Sequence, residues 1–220
     1  MTQKDPRVIK TLRSIDAALI HYLKNTPFSK ITLEMICLEA MINKTTFYKY
    51  YQDKYDLLDN FLKRTLDEFQ EHADVAFIKS DSEHIRDEEY RRRFKDFSTF
   101  MFEKKDLYLI LWNAKIDTNV YLEMKAALHK AMLKELDISD IESKRKIYHI
   151  DLHLHLLASN AMSVFYWWFN HDSSVPIEDV TNIMEGIMKL GLFHSYRYLM
   201  SMDLNDIPDP DANFSKIMFH

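Results

Sequence analysis

The sequence predicts an all-α protein, with three short N-terminal helices, a long connecting helix and a helical bundle behind it. Three observations lead there. Apolar residues recur at helical spacing along almost the whole chain, no segment alternates convincingly as a strand, and only Gly186 and Gly191 are glycine among 220 residues. Parallel α/β folds and β-sandwiches place glycine in many of their turns, where positive φ is needed. Neither glycine lies in a G-x-G or Walker pattern, which excludes a glycine-rich phosphate cradle.

The first helix is read from Val8, Leu12, Ile15, Leu19 and Tyr22, which step by four and three along one face. It ends near Asn25, before Thr26-Pro27. Thr32 can cap a second short helix that buries Ile36 and Ala40. Asn43 can cap a third, Lys44 to Tyr50. Gln52 and Asp53 break that helix, and Asp53 can cap a longer one carrying Leu57, Leu58, Phe61, Leu62 and Leu66.

Helical spacing continues through Tyr90, Phe94, Phe97 and Met101 in the segment Asp87 to Phe102, then through a short apolar piece from Leu107 to Trp112. Val120 to Leu136 carries Met124, Leu128 and Met132. Ser139-Asp140-Ile141-Glu142 has the form of a capping box. It would open a helix with Ile147, Ile150, Leu154, Leu157, Ala161, Phe165 and Trp168 on one face. Ser173-Ser174 suits a turn, and Pro176, Glu178 and Asp179 suit the start of a last helix reaching about Met200. From Asp203 the chain is acidic and proline-containing, and an irregular tail is expected.

Charge and composition narrow the function classes. Residues 1–55 hold nine Lys/Arg against five Asp/Glu, a formal +4, while residues 56–220 hold 20 against 29, a formal −9. A basic head on an acidic body suits a polyanionic partner for the head. Cys37 is the single cysteine, so neither an internal disulfide nor a cysteine zinc site can form. With a polar, charged start and no visible signal peptide, a cytoplasmic location is expected. The 20 residues between Asp151 and Asp172 carry no Asp, Glu, Lys or Arg, about the length of a membrane span. They also hold His153, His155, Ser159, Asn160, Ser163, Asn170 and His171, too polar a load for a lipid-facing helix. A buried helix and no membrane partner are expected.

The most specific signal is the run Ile31-Thr32-Leu33-Glu34-Met35-Ile36-Cys37-Leu38-Glu39-Ala40 followed by Asn43-Lys44-Thr45-Thr46-Phe47-Tyr48-Lys49-Tyr50-Tyr51-Gln52-Asp53-Lys54-Tyr55-Asp56-Leu57-Leu58. It resembles the helix-turn-helix DNA-binding domain of the TetR family of transcriptional regulators, over roughly Val8 to Phe61. The stretch WWFNHDSSVPIEDV looks like the C-terminal domain of a subgroup common in Gram-positive bacteria. The resemblance implies that Thr32 starts the second helix against a phosphate. It places Lys44, Thr45, Thr46, Tyr48 and Lys49 on a recognition helix in the major groove, flanked by Asn43 and Tyr50, with Lys54 on the DNA backbone. Lysines and hydroxyls are the groups that phosphate contact requires. Phe47 and Tyr51, four apart, would both point inward. The family's turn usually holds glycine where this chain has Met41; a left-handed Met there would cost about 1 kcal/mol.

In the body, Phe97, Met101, Trp112, Met124, Met162 and Phe165 are the expected lining of a pocket for a small, largely apolar ligand. Most such stripes are simply core. Ile183, Gly186, Ile187 and Leu190, with Ala158 and Ala161 on the preceding helix, are the expected dimer contact, a four-helix bundle between two chains. Trp167 and Trp168 point about 100° apart, so one packs inside and the other meets a neighbour. His149 and His153 are four apart, but His155 lies on another face and no H-E-x-x-H pattern exists, so no metal and no cofactor are expected. Arg91-Arg92-Arg93, beside Asp87, Glu88 and Glu89, fits a solvated, salt-bridged face.

The expected organisation is therefore a DNA-binding helix-turn-helix domain over residues 1–55, a helical regulatory and dimerisation domain over 56–202, and an acidic tail over 203–220. The expected activity is that of a homodimeric regulator, most often a repressor in this family, which leaves double-stranded operator DNA when an unknown small molecule binds. A regulator or co-activator controlled by a protein partner is the alternative. A helical ligand-binding enzyme is a further one, with no nucleophile–base pair in the sequence to support it.

Overall fold

The computed structural model describes residues 5–79, 88–136, 139, 144–171, 175–184 and 186–187, and among these every regular element is helical. In chain order the helices are α1 (Pro6–Leu23), α2 (Leu33–Glu39), α3 (Lys44–Phe47), α4 (Lys54–His72), α5 (Glu88–Glu103), α6 (Lys105–Asn113), α7 (Val120–Leu136) and α8 (Lys144–Asn170). Short 3₁₀ turns occupy Phe28–Lys30 and Ala76–Lys79. Residues 177–184 begin a further helix, α9, directly after Pro176. No helix among the described residues is long and apolar enough to cross a membrane. Outside the described residues lie Asp140 to Glu142 of the expected capping box, the Ser173-Ser174 turn, Leu190 and the tail over 203–220.

The helix starts follow from side-chain caps. Asp5 accepts from the Arg7 N–H at 2.9 Å ahead of Pro6, and Asp53 accepts from the N–H groups of Tyr55 and Asp56, both at 2.8 Å. Each cap satisfies N–H groups that have no partner within the helix.

The chain divides into two compact units. One is Met1–Phe69 with Lys105–Met124, the other Gln70–Lys104 with Lys125–His220. This differs from the expected division after Tyr55, because the buried Leu57, Leu58, Phe61, Leu62 and Phe69 of α4 supply apolar surface to the first unit. Ile15, Leu19, Ile31, Ile36, Phe47 and Leu111 complete that core. The Phe28 N–H donates to the Lys115 carbonyl at 3.1 Å, which ties the 105–124 segment to the head.

The second unit is built on α5, α8 and α9 with most of α7. Its buried residues include Phe94, Phe97, Met101, Leu128, Met132, Leu154, Ala158, Met162, Phe165, Trp168, Val180 and Met184. Phe97 meets Phe165 edge-on at 5.4 Å, and Phe102 stacks on Trp168 at 4.9 Å. Trp168 is 1% exposed, with its indole N–H on the Val175 carbonyl at 3.0 Å, whereas Trp167 is 43% exposed.

Candidate nucleic-acid interface

The surface that the resemblance assigns to DNA is built on α2, a turn and α3. Thr32 caps α2: its hydroxyl oxygen accepts from the Met35 N–H at 3.2 Å. The helix then ends in a Schellman arrangement. The Ile42 N–H reaches the Cys37 carbonyl at 3.0 Å and the Met41 N–H reaches the Leu38 carbonyl at 3.1 Å. Met41 sits between them at φ 54°, in the left-handed region, with a side chain 92% exposed. A residue without Cβ would adopt that conformation freely; methionine adopts it at a cost of about 1 kcal/mol.

Asn43 caps α3, accepting from the Thr46 N–H at 2.7 Å. The helix is shorter than the expected Lys44 to Tyr50. After Phe47 the backbone tightens into a turn, with the N–H groups of Lys49 and Tyr50 bonded to the carbonyls of Thr46 and Phe47 three residues back. Phe47 is fully buried and Tyr51 is buried beside it, their ring centres 5.6 Å apart. On the opposite side Lys44, Thr45, Tyr48 and Lys49 are exposed, Thr46 and Tyr50 half-buried. A short helix thus stands anchored by aromatic rings and presents hydroxyls and cations to solvent.

Two lysines are engaged within the chain itself. Lys44 forms an ion pair with Glu34 of α2. Lys44 holds the Glu34 carboxyl below its ordinary range, and Glu34 in turn raises the Lys44 ammonium. Lys54, expected on the DNA backbone, is engaged within the chain. Its ammonium donates to the carbonyls of Ile31 at 2.7 Å, Phe28 at 3.0 Å and Ser29 at 3.3 Å, and stands over the rings of Phe28 and Tyr55. An ammonium has three N–H donors, and three carbonyls take them. Lys54 clamps the 3₁₀ turn that leads into Thr32.

One determinant of the head lies outside every motif. Arg64 of α4 donates to Asp16 of α1 at 2.7 Å and to the Tyr51 hydroxyl at 3.2 Å. It joins two helices to the ring that backs α3. Burial pushes the Asp16 carboxyl up more than the Arg64 guanidinium draws it down. Asp16 and Arg64 are 48 residues apart, and no local spacing signals the pair.

The expected pocket residues divide between the two units. Trp112 and Met124 belong to the first unit, where the indole N–H lies 3.3 Å from the Met124 sulfur. Phe97, Met101, Met162 and Phe165 belong to the second and are buried in its core. The cavity that Phe97 lines holds about 20 Å³, with Phe94, Leu128, Met132, Leu157, Ala161 and Met184 around it and Asp74 and Arg93 at its edge. That is room for a water molecule, not for an organic ligand.

The residues of the expected dimer contact differ in exposure. Ala158 is fully buried within its own chain, and Ala161, half-buried, lines that cavity. Ile183 is exposed, and Gly186 and Ile187 are half-buried. The apolar surface of α8 lies on the opposite side, at the exposed Tyr148, Leu152, Leu156, Tyr166 and Trp167. At 100° per residue these five fall within about a third of a turn.

His149, His153 and His155 are all exposed, and the His153 Nδ1 lies 2.6 Å from the His149 carbonyl. His155 packs edge-on to His129 of α7 at 5.6 Å, and the His129 Nε2 is 3.0 Å from Asp151. Among the described residues no group of three His, Cys, Asp or Glu gathers as a metal site. Compared with known proteins, the chain matches no family model and no curated relative.

Proposed function

We propose that the protein is a homodimeric, DNA-binding transcriptional regulator of the TetR type, acting as a repressor that a small, largely apolar molecule releases from its operator. The observation that carries this is α3, with Phe47 wholly buried beneath it and Thr45, Tyr48 and Lys49 exposed above it. Hydroxyl and ammonium groups on a short helix and the tight turn that follows it suit base edges and phosphates in a major groove. The capped N-terminus of α2 at Thr32 suits a neighbouring phosphate.

A two-fold operator needs two heads about 34–36 Å apart or a multiple of that. The exposed α8 stripe through Leu152 and Leu156, with Ile183 of α9, supplies the apolar face for pairing two chains. The tight cavity of the second unit favours one other reading, a regulator that answers to a protein partner.

The test is a mobility-shift titration with duplex DNA containing the chain's own upstream region, repeated over a range of salt. The expected result is sequence-selective binding that weakens steeply with salt, and a loss of affinity with Tyr48→Ala and Lys49→Ala at unchanged helicity. Equal affinity for unrelated duplexes, or unaffected binding in both variants, overturns the proposal.

A further inference from the structure

The segment from α2 through α3 carries little charge of its own. Residues 31–51 hold two lysines, Lys44 and Lys49, against two glutamates, Glu34 and Glu39. Their formal charge is zero, although residues 1–55 carry a formal +4. One of the two lysines is engaged within the chain. The Lys44 ammonium pairs with the Glu34 carboxylate across the turn, from the first residue of α3 to the second of α2.

We propose that Glu34 withholds Lys44 from DNA phosphates and so limits how tightly the head holds any duplex, whatever its sequence. The inference rests on the DNA-binding reading above and adds to it a residue that works against affinity.

The position of the pair supports this. Lys44 and Tyr48 are four residues apart with helical backbone throughout, so they share the exposed face of α3 that is proposed to meet the groove. The Lys44 and Glu34 side chains are 52% and 65% exposed, which leaves the pair within reach of an approaching phosphate. The hydrogen bond from Lys44 holds the Glu34 carboxyl below its ordinary range and raises the Lys44 ammonium, so both groups are charged at neutral pH.

Charge arithmetic gives the effect. Sequence-independent affinity comes from cations that neutralise phosphates and release their counterions. A phosphate that took Lys44 would leave the Glu34 carboxylate beside it without its counter-charge, so the pair contributes no net neutralisation. With Lys54 donating to three carbonyls, the helix-turn-helix surface meets DNA more through Thr45, Tyr48 and Lys49 than through general phosphate attraction. Contacts to base edges are the ones that carry sequence information. Weak affinity for random DNA keeps a regulator from being held by the many sites that compete with its operator. An exposed ion pair adds little to stability, so removing the carboxylate should leave the fold intact.

Fluorescence anisotropy of the full chain with two duplexes of equal length tests this over a range of salt. One duplex is the chain's own upstream region and the other is random in sequence. Glu34→Gln keeps the shape of the side chain and removes its charge. It should bind both duplexes more tightly than wild type, with the slope of log affinity against log salt steeper by about one unit, the value of one added phosphate contact. Its advantage should shrink about threefold between about 50 and 200 mM salt. Lys44→Gln added to Glu34→Gln should return affinity and slope to wild type on both duplexes. Circular dichroism checks folding, and Glu34→Ala takes the place of Glu34→Gln if that variant does not fold. An unchanged slope in Glu34→Gln overturns the proposal. So does a gain that survives the loss of Lys44, which would make Glu34 a plain repulsive charge. If wild type does not distinguish the two duplexes while Glu34→Gln behaves as described, the inference stands and the operator reading falls. If wild type selects the upstream duplex and Glu34→Gln keeps the wild-type slope, the inference alone falls. No binding of either duplex by any form at about 50 mM salt removes both.

Discussion

The ammonium of Lys54 donates to the carbonyl of Ile31 at 2.7 Å, from the first residue of α4 to the residue just before the Thr32 cap of α2. With the Phe28 and Ser29 carbonyls also bound, this one side chain sets the direction in which the chain enters α2. Lys54→Ala leaves three part-buried or exposed carbonyls to find water. It should destabilise the head by about 1–3 kcal/mol. Thermal unfolding followed by circular dichroism measures this. Below the melting range, the salt dependence of DNA binding should keep its wild-type slope; a slope lower by about one unit would return Lys54 to the phosphates.

Met41 should be the least favourable backbone position in the head. Its side chain is almost wholly exposed, so Met41→Gly removes no packing. The substitution relieves the left-handed penalty, partly offset by glycine's greater freedom in the unfolded chain. The net expectation is a gain of about 0.5–1 kcal/mol, measured as a shift of the urea midpoint with no change in slope. A loss of stability would show that the Met41 side chain has a partner.

Arg64 and Asp16 should respond unequally to removal. Arg64→Met strands a partly buried carboxylate and the Tyr51 hydroxyl, and should cost about 1–3 kcal/mol. Asp16→Asn leaves a guanidinium that is half in water, so its loss should be below about 1 kcal/mol. Because burial raises the Asp16 carboxyl, the contribution of this group to stability is fully present below its unfolded pKa. It declines as pH rises through the higher folded value. Stability curves from pH 3 to 7 should therefore rise less steeply for wild type than for Asp16→Asn; the reverse order would count against burial as the dominant cause.

Tyr108 extends the same logic to alkaline pH. It is buried, and burial first, then the charge of Glu68, raises its phenol well above the ordinary value of 10.0. Its contribution is intact below the unfolded pKa and is lost as pH climbs from there toward the folded pKa. Tyr108→Phe should lose less stability than wild type between pH 9 and 11, read from denaturant titrations. Parallel losses would mean that other groups govern alkaline unfolding.

Leu152 tests how two chains pair. Leu152→Glu places a charge in the exposed α8 stripe without touching the buried face, so monomers of normal helicity are expected in sedimentation velocity. Tight operator binding should be lost with them. An intact dimer would move the contact away from this stripe.

The helical pattern was legible because it is local. The caps at Thr32, Asn43 and Asp53, the full span of α7, and the opposite fates of Trp167 and Trp168 all follow from spacing within a few residues. The aromatic pair Phe47 and Tyr51 was legible for the same reason. The clamp made by Lys54 was not legible because its position fits a phosphate contact equally well, and only the approach of the Phe28–Lys30 turn shows where its donors go within the chain. The burial of Ala158 was not legible because a low-relief strip looks the same whether a helix of the same chain or of a second chain covers it. The six expected pocket residues share a chemistry that spacing alone could not assign to one unit or the other. The return of residues 105–124 to the head, like the Arg64–Asp16 pair, depends on contacts far apart in sequence, and periodicity carries no trace of them.

That return bears on how such a head can be exchanged. Phe28 passes its N–H to Lys115, and Leu111 lies in the same core as Ile15 and Leu19, so the unit is sewn from two pieces of chain. A graft that carried only the first 69 residues onto another body would arrive without the segment that closes its hydrophobic interior. Recombination that preserves this head has to transplant both pieces together, or find a host whose own inserted segment can take the place of the second.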